Sequence, residues 1–389
     1  MKKLLLLFFI CTSFSVKSQV NLSVYSEISI VTSGPGDELF EAFGHSAIRI
    51  KDPVLRLDLV YNYGIFDFDA PNFYTNFTKG KLLYKLGRYP FKYFLDSYRA
   101  DKRWVKEQIL NLNQNQKQAF FKYLEKNASP NNATYLYDPF INNCASKLKD
   151  ITNTVLDDKV TYNDVNLPKG ETFRSLMNSE IPWNTWGSFG INLALGNKLD
   201  RKVTTEEFMY LPDYVYTIFK DSSVNVESES QPLIKSEKIL IDLPEMETKI
   251  NIFNPLLIFS LISLLGIWIT FKDYKKKKRT KSLDFITLFT TGLIGVLITF
   301  LWFFTDHSTT PNNLNILWAF APNIFVAFVS LKTNLPKWTN YYFLLLLALI
   351  VIIPILWIVK IQLFPIAVIP LLIFLGVRYF FALKFLKNN

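Results

Sequence analysis

The chain has 389 residues, half of them hydrophobic, and a formal net charge of +10 that would at first suggest a nucleic-acid partner. That charge is unevenly distributed: residues 20–252 hold 27 basic and 30 acidic side chains, a net of 27 − 30 = −3. We therefore expect no nucleic-acid binding, and we assign the basic clusters outside this range to membrane topology.

The N-terminus has the pattern of a secretory signal. Lys2 and Lys3 precede the apolar run LLLLFFI, which passes into small and polar residues ending at Ser18. This order predicts a signal peptide over residues 1–19, because the apolar run is too short to span a membrane. A lipoprotein signal at Cys11 is disfavoured, since Ile10 stands where such signals require a small residue.

The predicted exported domain, residues 20–220, opens with strand-like alternation that breaks at Gly34-Pro35-Gly36. One or two helical turns are expected after Asp37, followed by a strand from His45 to Ile50. The segment DLVYNYGIFDFD is predicted to return as a second strand, with Asn62 near its middle. From 90 to 126, apolar residues spaced three and four apart predict helix.

Cys144 is the cysteine that remains after signal cleavage, since Cys11 leaves with the signal. In an oxidising compartment such a thiol is buried, paired between chains, or used chemically. Asn142 and Asn143 are good cap residues, so Cys144 is expected at the start of a helix. The unpaired N–H groups and positive dipole end of a helix favour a thiolate and can hold an oxyanion.

His45 is the predicted base for this thiol. The chain has two histidines, and this one lies in a GHS segment directly before a strand. A thiol at a helix N-terminus with a histidine on a strand suits thiol acyl-transfer chemistry. A third side chain should orient the imidazole; Asn62 is preferred, with Asp58 and Asp67 as alternatives.

The region after the exported domain divides into a polar segment and a hydrophobic one. Residues 221–252 are predicted to be a linker that tethers the domain to the membrane. Residues 253–389 are predicted to be a bundle of five transmembrane helices. The expected spans are 254–271, 283–304, 316–331, 341–358 and 363–381.

The orientation of these spans follows from basic residues. The loop KDYKKKKRTK after the first span has seven lysines and arginines, whereas the 305–315 loop has none. Basic loops remain cytoplasmic, so residues 20–252 and the 305–315 loop are expected on the opposite, periplasmic side. The predicted location is the inner (cytoplasmic) membrane, with a multi-pass anchor.

Several segments together resemble a known family. They are SGPGDELFEAFGHSAIRI, VYNYGIFDF, YLYDPFINNCASKLKD and WGSFGINLALGNKLDRKVTTEEFMYLPDYV, and they resemble the Lnb-type periplasmic domain of lipoprotein N-acyltransferases. The order of histidine before cysteine is also similar to circularly permuted papain-like (NlpC-type) thiol enzymes. The resemblance implies an α+β fold, with a permuted papain-like periplasmic domain preceding the five-helix bundle.

The resemblance further implies a thioester mechanism. Cys144 would take an acyl chain from a membrane phospholipid, His45 would accept the thiol proton, and a diacylated lipoprotein amine would receive the chain. No metal or other cofactor is expected, because no cluster with zinc-ligand spacing is present. Asp306 and His307, in the 305–315 loop, are candidates for contacting the lipid head group or the incoming amine, although an interfacial polar loop would have the same composition.

Two other functions fit the same residues. A cell-wall peptidase or amidase of the NlpC type would use the same thiol and base without lipid. A membrane sensor or scaffold would keep the domain but not the reactivity. Five spans favour lipid handling, since an enzyme that cuts soluble peptides needs one anchor at most.

Overall fold

A seven-stranded antiparallel sheet forms the centre of the domain that precedes the membrane helices. This computed structural model describes residues 20–226, 229–245 and 252–387, so the predicted signal peptide lies outside the described residues. The strand order is β10-β5-β1-β2-β3-β4-β6, and β7, β8 and β9 form a second small sheet. The strands are β1 (Glu27–Ser33), β2 (His45–Asp52), β3 (Leu57–Ile65), β4 (Leu83–Pro90), β5 (Val105–Leu110), β6 (Thr134–Leu136), β7 (Val160–Thr161), β8 (Ser223–Val226), β9 (Glu229–Pro232) and β10 (Ile234–Ile241).

The described α-helices fall into two groups, one in the domain that holds the sheet and one in the membrane region. Those of the first domain are α1 (Phe73–Thr78), α2 (Phe91–Ala100), α3 (Gln114–Asn127), α4 (Cys144–Val155), α5 (Phe173–Glu180), α6 (Trp186–Ala194), α7 (Thr205–Phe208) and α8 (Pro212–Asp221). Those of the second region are α9 (Pro255–Lys276), α10 (Lys281–Phe303), α11 (Asn323–Ser330), α12 (Trp338–Ile358) and α13 (Ile369–Lys387).

The core of the first domain lies between the sheet and helices α3, α4 and α8. Alternating residues of β1 and β2, such as Ile28, Ile30, Ile48 and Ile50, are at most 1% exposed and belong to this core. Their alternation places one face of each strand inside, as the sequence pattern predicts. The fold is therefore a mixed α/β domain followed by membrane helices. The permuted papain-like assignment stays a prediction.

Two predictions about this domain are wrong. The helix expected from 90 to 126 is α2, then strand β5, then α3, and β5 is an inner strand between β1 and β10. The polar linker expected over 221–252 is also partly sheet, because β10 pairs with β5 along the edge. Five consecutive residues of β10, 235–239, are exposed to solvent, which gave this edge strand the composition of a tether.

Four of the described helices are long and apolar enough to span a membrane. They are Pro255–Lys276, Lys281–Phe303, Trp338–Ile358 and Ile366–Leu386, the last including a short 3₁₀ turn before α13. They correspond to the first, second, fourth and fifth predicted spans. The prediction of a continuous helix over 316–331 is wrong.

The third predicted span is a broken segment rather than a helix. It consists of a 3₁₀ turn at Leu314–Leu317, a bend through Pro322, and the eight-residue helix α11. Its N-terminal end touches the first domain, where Asn315 Nδ2 donates to the carbonyl of Asn192. Its C-terminal end accepts hydrogen bonds from Arg279 on the lysine-rich turn. The segment therefore runs the whole length of α10, partly as irregular backbone.

Small residues of α10 allow that irregular backbone to pack. A Cβ on Gly295 would lie 2.1 Å from the carbonyl oxygen of Ala319, and one on Gly292 would lie 2.2 Å from the backbone nitrogen of Ile324. Irregular backbone at membrane depth is tolerated only where protein covers it. Close glycine contact provides that cover here.

The first domain rests on the membrane region through residues 192–200. Arg174, fully buried, donates to Asp200 and to the carbonyls of Leu195 and Gly196, which fixes this segment. The segment then pairs with the 305–315 loop, where Gly196 donates to the carbonyl of Thr309 at 2.9 Å. The domain and the lysine-rich turn thus lie at opposite ends of α10, in agreement with the predicted topology.

Candidate active site

Cys144 is the first residue of helix α4. Asn143 caps the helix, with its side-chain oxygen accepting the N–H groups of Ala145 and Ser146 at 2.9 Å each. Ser146 Oγ returns a bond by accepting the N–H of Asn143, which completes a capping box. Leu148 and Ile151 on the same helix are buried in the core, so the thiol is held on a rigid element. The sulfur-bearing residue is 8% exposed.

His45 is the first residue of strand β2, opposite Ser33 of β1. Gly44 immediately before it has a φ of +69°, and a Cβ there would lie 2.7 Å from the carbonyl oxygen of Ser33. Only glycine fits this turn without strain. The glycine of the GHS sequence is therefore required sterically. It lets the chain turn so that His45 begins the strand.

The imidazole of His45 and the thiol of Cys144 shift each other's pKa. Burial alone would lower the pKa of His45, but the charge of Cys144 and hydrogen bonds to Cys144 and Asn62 raise it above its ordinary value. Burial alone would raise the pKa of Cys144, but the charge and hydrogen bond of His45, with the backbone N–H groups of Ser46 and Ala145, lower it. Both directions favour a thiolate–imidazolium pair.

Asn62 on β3 lies on the far side of the imidazole from the thiol. Its Oδ1 is 2.6 Å from His45 Nε2, and its Nδ2 donates to the hydroxyl of Tyr89 at 2.9 Å. The bond to Tyr89 orients the amide so that its oxygen faces the ring. Because Oδ1 can only accept, Nε2 carries a proton, and Nδ1 is the nitrogen left to exchange a proton with the thiol.

The two alternatives to Asn62 are engaged elsewhere. Asp58 forms an ion pair with Arg49 at 2.7 Å. Asp67 is exposed in the turn after β3, where its side chain accepts the N–H of Asp69. The structure thus brings together Cys144, His45 and Asn62.

Three residues of the site were not predicted from the sequence. Tyr89 anchors Asn62, as described above. Tyr98 stacks on the His45 ring, with centroids 6.4 Å apart and planes within 15°. Arg103 lies close enough to oppose protonation of His45, and it also donates to the carbonyl of Gly34. These side chains come from β4, α2 and the turn after α2, and no local motif marks them.

The oxyanion role expected for the helix N-terminus is only partly available. The N–H groups of Ala145 and Ser146 donate to the Asn143 cap, so they are already engaged before substrate arrives. The backbone N–H groups of Ser46 and Ala145 also lower the pKa of Cys144. In this state, backbone N–H groups stabilise the thiolate.

Asp306 and His307 lie at the end of helix α1. The N–H of Asp306 donates to the carbonyl of Lys79 at 2.8 Å, and its carboxylate is 3.9 Å from Lys81. Burial lowers the pKa of His307, although the backbone of Thr78 and Phe77 acts in the opposite direction. These contacts attach the loop to the domain. A direct role in substrate binding stays a prediction.

Comparison with known families is consistent with this architecture. The family model described as the Lnb N-terminal periplasmic domain matches residues 17–186, and the Lnb transmembrane domain matches residues 247–389. The chain belongs to the Lnb family. No curated protein and no solved structure matches it. In this Lnb chain, the periplasmic domain holds the cysteine–histidine pair and the transmembrane domain holds the four long helices.

The Asn62–His45 contact leads to a testable prediction. We expect Asn62→Ala to slow thiol acylation by a soluble ester about tenfold to a hundredfold, because hydrogen bonds to a charged group contribute about 1.5–3 kcal/mol. Asn62→Asp retains an acceptor and should lose less. Stopped-flow acylation with para-nitrophenyl butyrate measures both rates. Equal rates for wild type and Asn62→Ala would contradict the orienting role.

Proposed function

We propose that this protein transfers an acyl chain from a membrane phospholipid to the N-terminal amine of a diacylated lipoprotein, through a thioester on Cys144. The observation that carries the proposal is Cys144 at the start of a capped helix, with its pKa lowered by His45, whose ring Asn62 holds at 2.6 Å. It is placed in a domain docked on membrane helices. The finer assignments, a permuted papain-like fold and the inner membrane, are part of the same proposal.

In the first half-reaction the thiolate attacks the ester carbonyl of the phospholipid. The carbon–sulfur bond forms, the carbon–oxygen bond of the ester breaks, and the lysophospholipid leaves as an alcohol. The proton it needs comes from the His45 imidazolium, which becomes neutral. The hydrogen bond to Asn62 keeps Nε2 of His45 protonated throughout, so Nδ1 of the same ring donates and accepts the transferred proton.

In the second half-reaction the neutral amine of the lipoprotein attacks the thioester. The carbon–nitrogen bond forms, the carbon–sulfur bond breaks, and the sulfur leaves as a thiolate. His45, now neutral, accepts the proton released by the amine and regains its charge. The pair returns to its starting state, and no oxidant or cofactor is consumed.

Docking on the membrane favours a lipid donor over a soluble peptide. Trp186 of helix α6 donates to the carbonyl of Phe253 at 2.8 Å, and its ring contacts Phe259 of α9. Aromatic side chains of this kind settle at membrane–water interfaces. The catalytic domain is thus held at the bilayer surface, where phospholipid esters and lipoprotein anchors are both present.

The test is mass spectrometry of lipoprotein N-termini in cells that depend on this protein for triacylation. With Cys144→Ala we expect diacylated lipoproteins to accumulate, whereas Tyr25→Ser, an exposed change at the far end of β1, should leave triacylation intact. Unchanged triacylation in Cys144→Ala would overturn the proposal. Release of fragments from purified peptidoglycan by the full chain would instead indicate a cell-wall hydrolase. A thiol inert to acyl esters would indicate a sensor or scaffold.

A further inference from the structure

A row of aromatic rings runs from the 305–315 loop to the sulfur of Cys144. At the sulfur end, a Cβ on Gly64 would lie 3.6 Å from the ring of Tyr137 and 3.8 Å from the Cβ of Cys144. Because Gly64 has no side chain, this end of the row is open toward Cys144. Tyr137 also stacks on Tyr84 with ring centroids 4.3 Å apart.

The row continues along the surface toward the membrane. Its successive centroid distances are 5.0 Å from Tyr84 to Phe66, 6.1 Å from Phe66 to Phe73, 6.2 Å from Phe73 to Phe77, and 6.4 Å from Phe77 to His307. Each ring therefore touches the next. Because His307 belongs to the loop that follows α10, the row joins the active site to the membrane region.

The membrane end of the row is also apolar and open. A cavity of about 280 Å³ lies at the periplasmic end of α10, lined by Val296, Thr299, Phe300, Phe304 and Ala321. Phe304 lies two residues before Asp306. Gly80 brings that pair against α1, since a Cβ there would lie 2.5 Å from the His307 nitrogen. The chain segment 304–307 thus connects the cavity to the end of the row.

One further ring, Phe40, packs against part of the row. Phe40 packs edge-on against Phe66 at 5.7 Å and lies 6.3 Å from Phe68. Phe40 belongs to the loop between β1 and β2, which Arg103 holds through the carbonyl of Gly34 and the carboxylate of Glu41. This loop leads directly to His45, so Phe40 is joined to the catalytic pair by a short stretch of chain.

These rings are costly to leave in water. Phe40, Phe68 and Phe77 are 54%, 49% and 48% exposed, although the domain has an ample core. Contiguous exposed apolar surface on a folded domain marks a binding site or an interface. Here the patch adjoins the interface with the membrane region, and its other end is a thiol. A long apolar occupant suits such a patch, and the proposed function supplies the ester that would meet the thiol.

We infer that this aromatic row, together with Phe40 packed against it, is the binding track for the acyl chain of the donor lipid. The chain would leave the bilayer beside Phe304, lie across Phe77, Phe73 and Phe66, and present its ester at Gly64 to Cys144. The inference rests on the proposed function and adds the site that selects long acyl chains. It also gives Asp306 and His307 a positioning role, as residues that join the track to the membrane.

The test compares two esters with one leaving group, para-nitrophenyl butyrate and para-nitrophenyl palmitate, on the full chain in the same detergent micelles. Phe68 packs against two rings of the row, 4.9 Å from Phe66 and 5.2 Å from Phe73 between centroids. For the double variant Phe68→Ser/Phe77→Ser we expect the palmitate-to-butyrate ratio of Cys144 acylation rates to fall about tenfold, because several methylene contacts are lost. Butyrate acylation should be unchanged. Both side chains are about half exposed, so the fold should tolerate the change.

Tyr25→Ser is the matched control, since Tyr25 is 70% exposed at the other end of β1. Its ratio should equal that of wild type. An unchanged ratio in the double variant, or an equal loss with both esters, would overturn the track. The membrane helices anchor every variant, so a lower ratio cannot come from dissociation. Failure of wild type to be acylated by either ester would refute the proposed function itself, and the track with it.

Discussion

The chain carrying Cys144→Ser is expected to lose acyl transfer by about a thousandfold or more, as nucleophile replacements do in enzymes with a covalent intermediate. The hydroxyl is nearly the same size as the thiol, so the capped helix around it should remain. A hydroxyl is also far less acidic, and the interactions that lower the pKa of Cys144 cannot ionise it near neutral pH.

The measurement is single-turnover release of lysophospholipid from vesicles, with thermal unfolding as a check on the fold. Tyr25→Ser, exposed and distant from the site, should release lysophospholipid at the wild-type rate. Release by Cys144→Ser at more than a tenth of the wild-type rate would show that the thiol is not the nucleophile.

Replacing His45 by alanine is expected to slow acylation about a hundredfold to ten-thousandfold, the usual contribution of a general base. It should also change the pH dependence of the thiol. In wild type the imidazolium lowers the pKa of Cys144, so thiolate is present below the ordinary cysteine range. Without His45, burial is no longer opposed by that charge, and the pKa of Cys144 should rise. Alkylation at neutral pH should then slow and recover only in alkaline buffer.

Iodoacetamide alkylation followed across pH measures this shift directly. Tyr25→Ser is the control, because Tyr25 is 70% exposed and lies at the other end of β1 from the site. Its alkylation profile should match that of wild type. If His45→Ala left the profile in place, the two groups would not be coupled, and the acyl-enzyme mechanism would lose its base.

The local parts of the site could be predicted from the sequence. Asn143 before Cys144 is a cap signal, and the capped helix begins at that cysteine. The glycine before His45 and the alternation after it mark a strand start, and β2 begins at His45. Asn62 followed because β3 returns antiparallel beside β2, and the pairing of Ile48 with Tyr61 carries the next residue, Asn62, toward the His45 end of β2. Each of these inferences needed only short-range chemistry.

The parts that failed depend on long-range packing. Val105–Leu110 carries apolar residues at helical spacing, yet β1 on one side and β10 on the other make it an inner strand. Tertiary pairing overrides local periodicity in such a segment. The same pairing turned part of the predicted linker into β10. Tyr89, Tyr98 and Arg103 reach the site from separate elements, and their sequence neighbours give no indication of it.

The third span failed for a different reason. Residues 316–331 are apolar enough to cross, but Pro322 interrupts the helix and the glycines of α10 accept the broken backbone against them. Hydropathy indicates that a segment crosses the membrane but not which backbone conformation it adopts. As a result, Asn313 and Asn315 at the periplasmic end of this segment donate hydrogen bonds to carbonyls of the periplasmic domain.

The most direct test is intact-protein mass spectrometry of the full chain after brief mixing with phospholipid vesicles and no lipoprotein acceptor. The account predicts one added acyl chain, mapped to the peptide that contains Cys144, removed by hydroxylamine and lost on addition of a lipoprotein-like amine. An unmodified Cys144 under these conditions, or an acyl chain on any other residue, would contradict it.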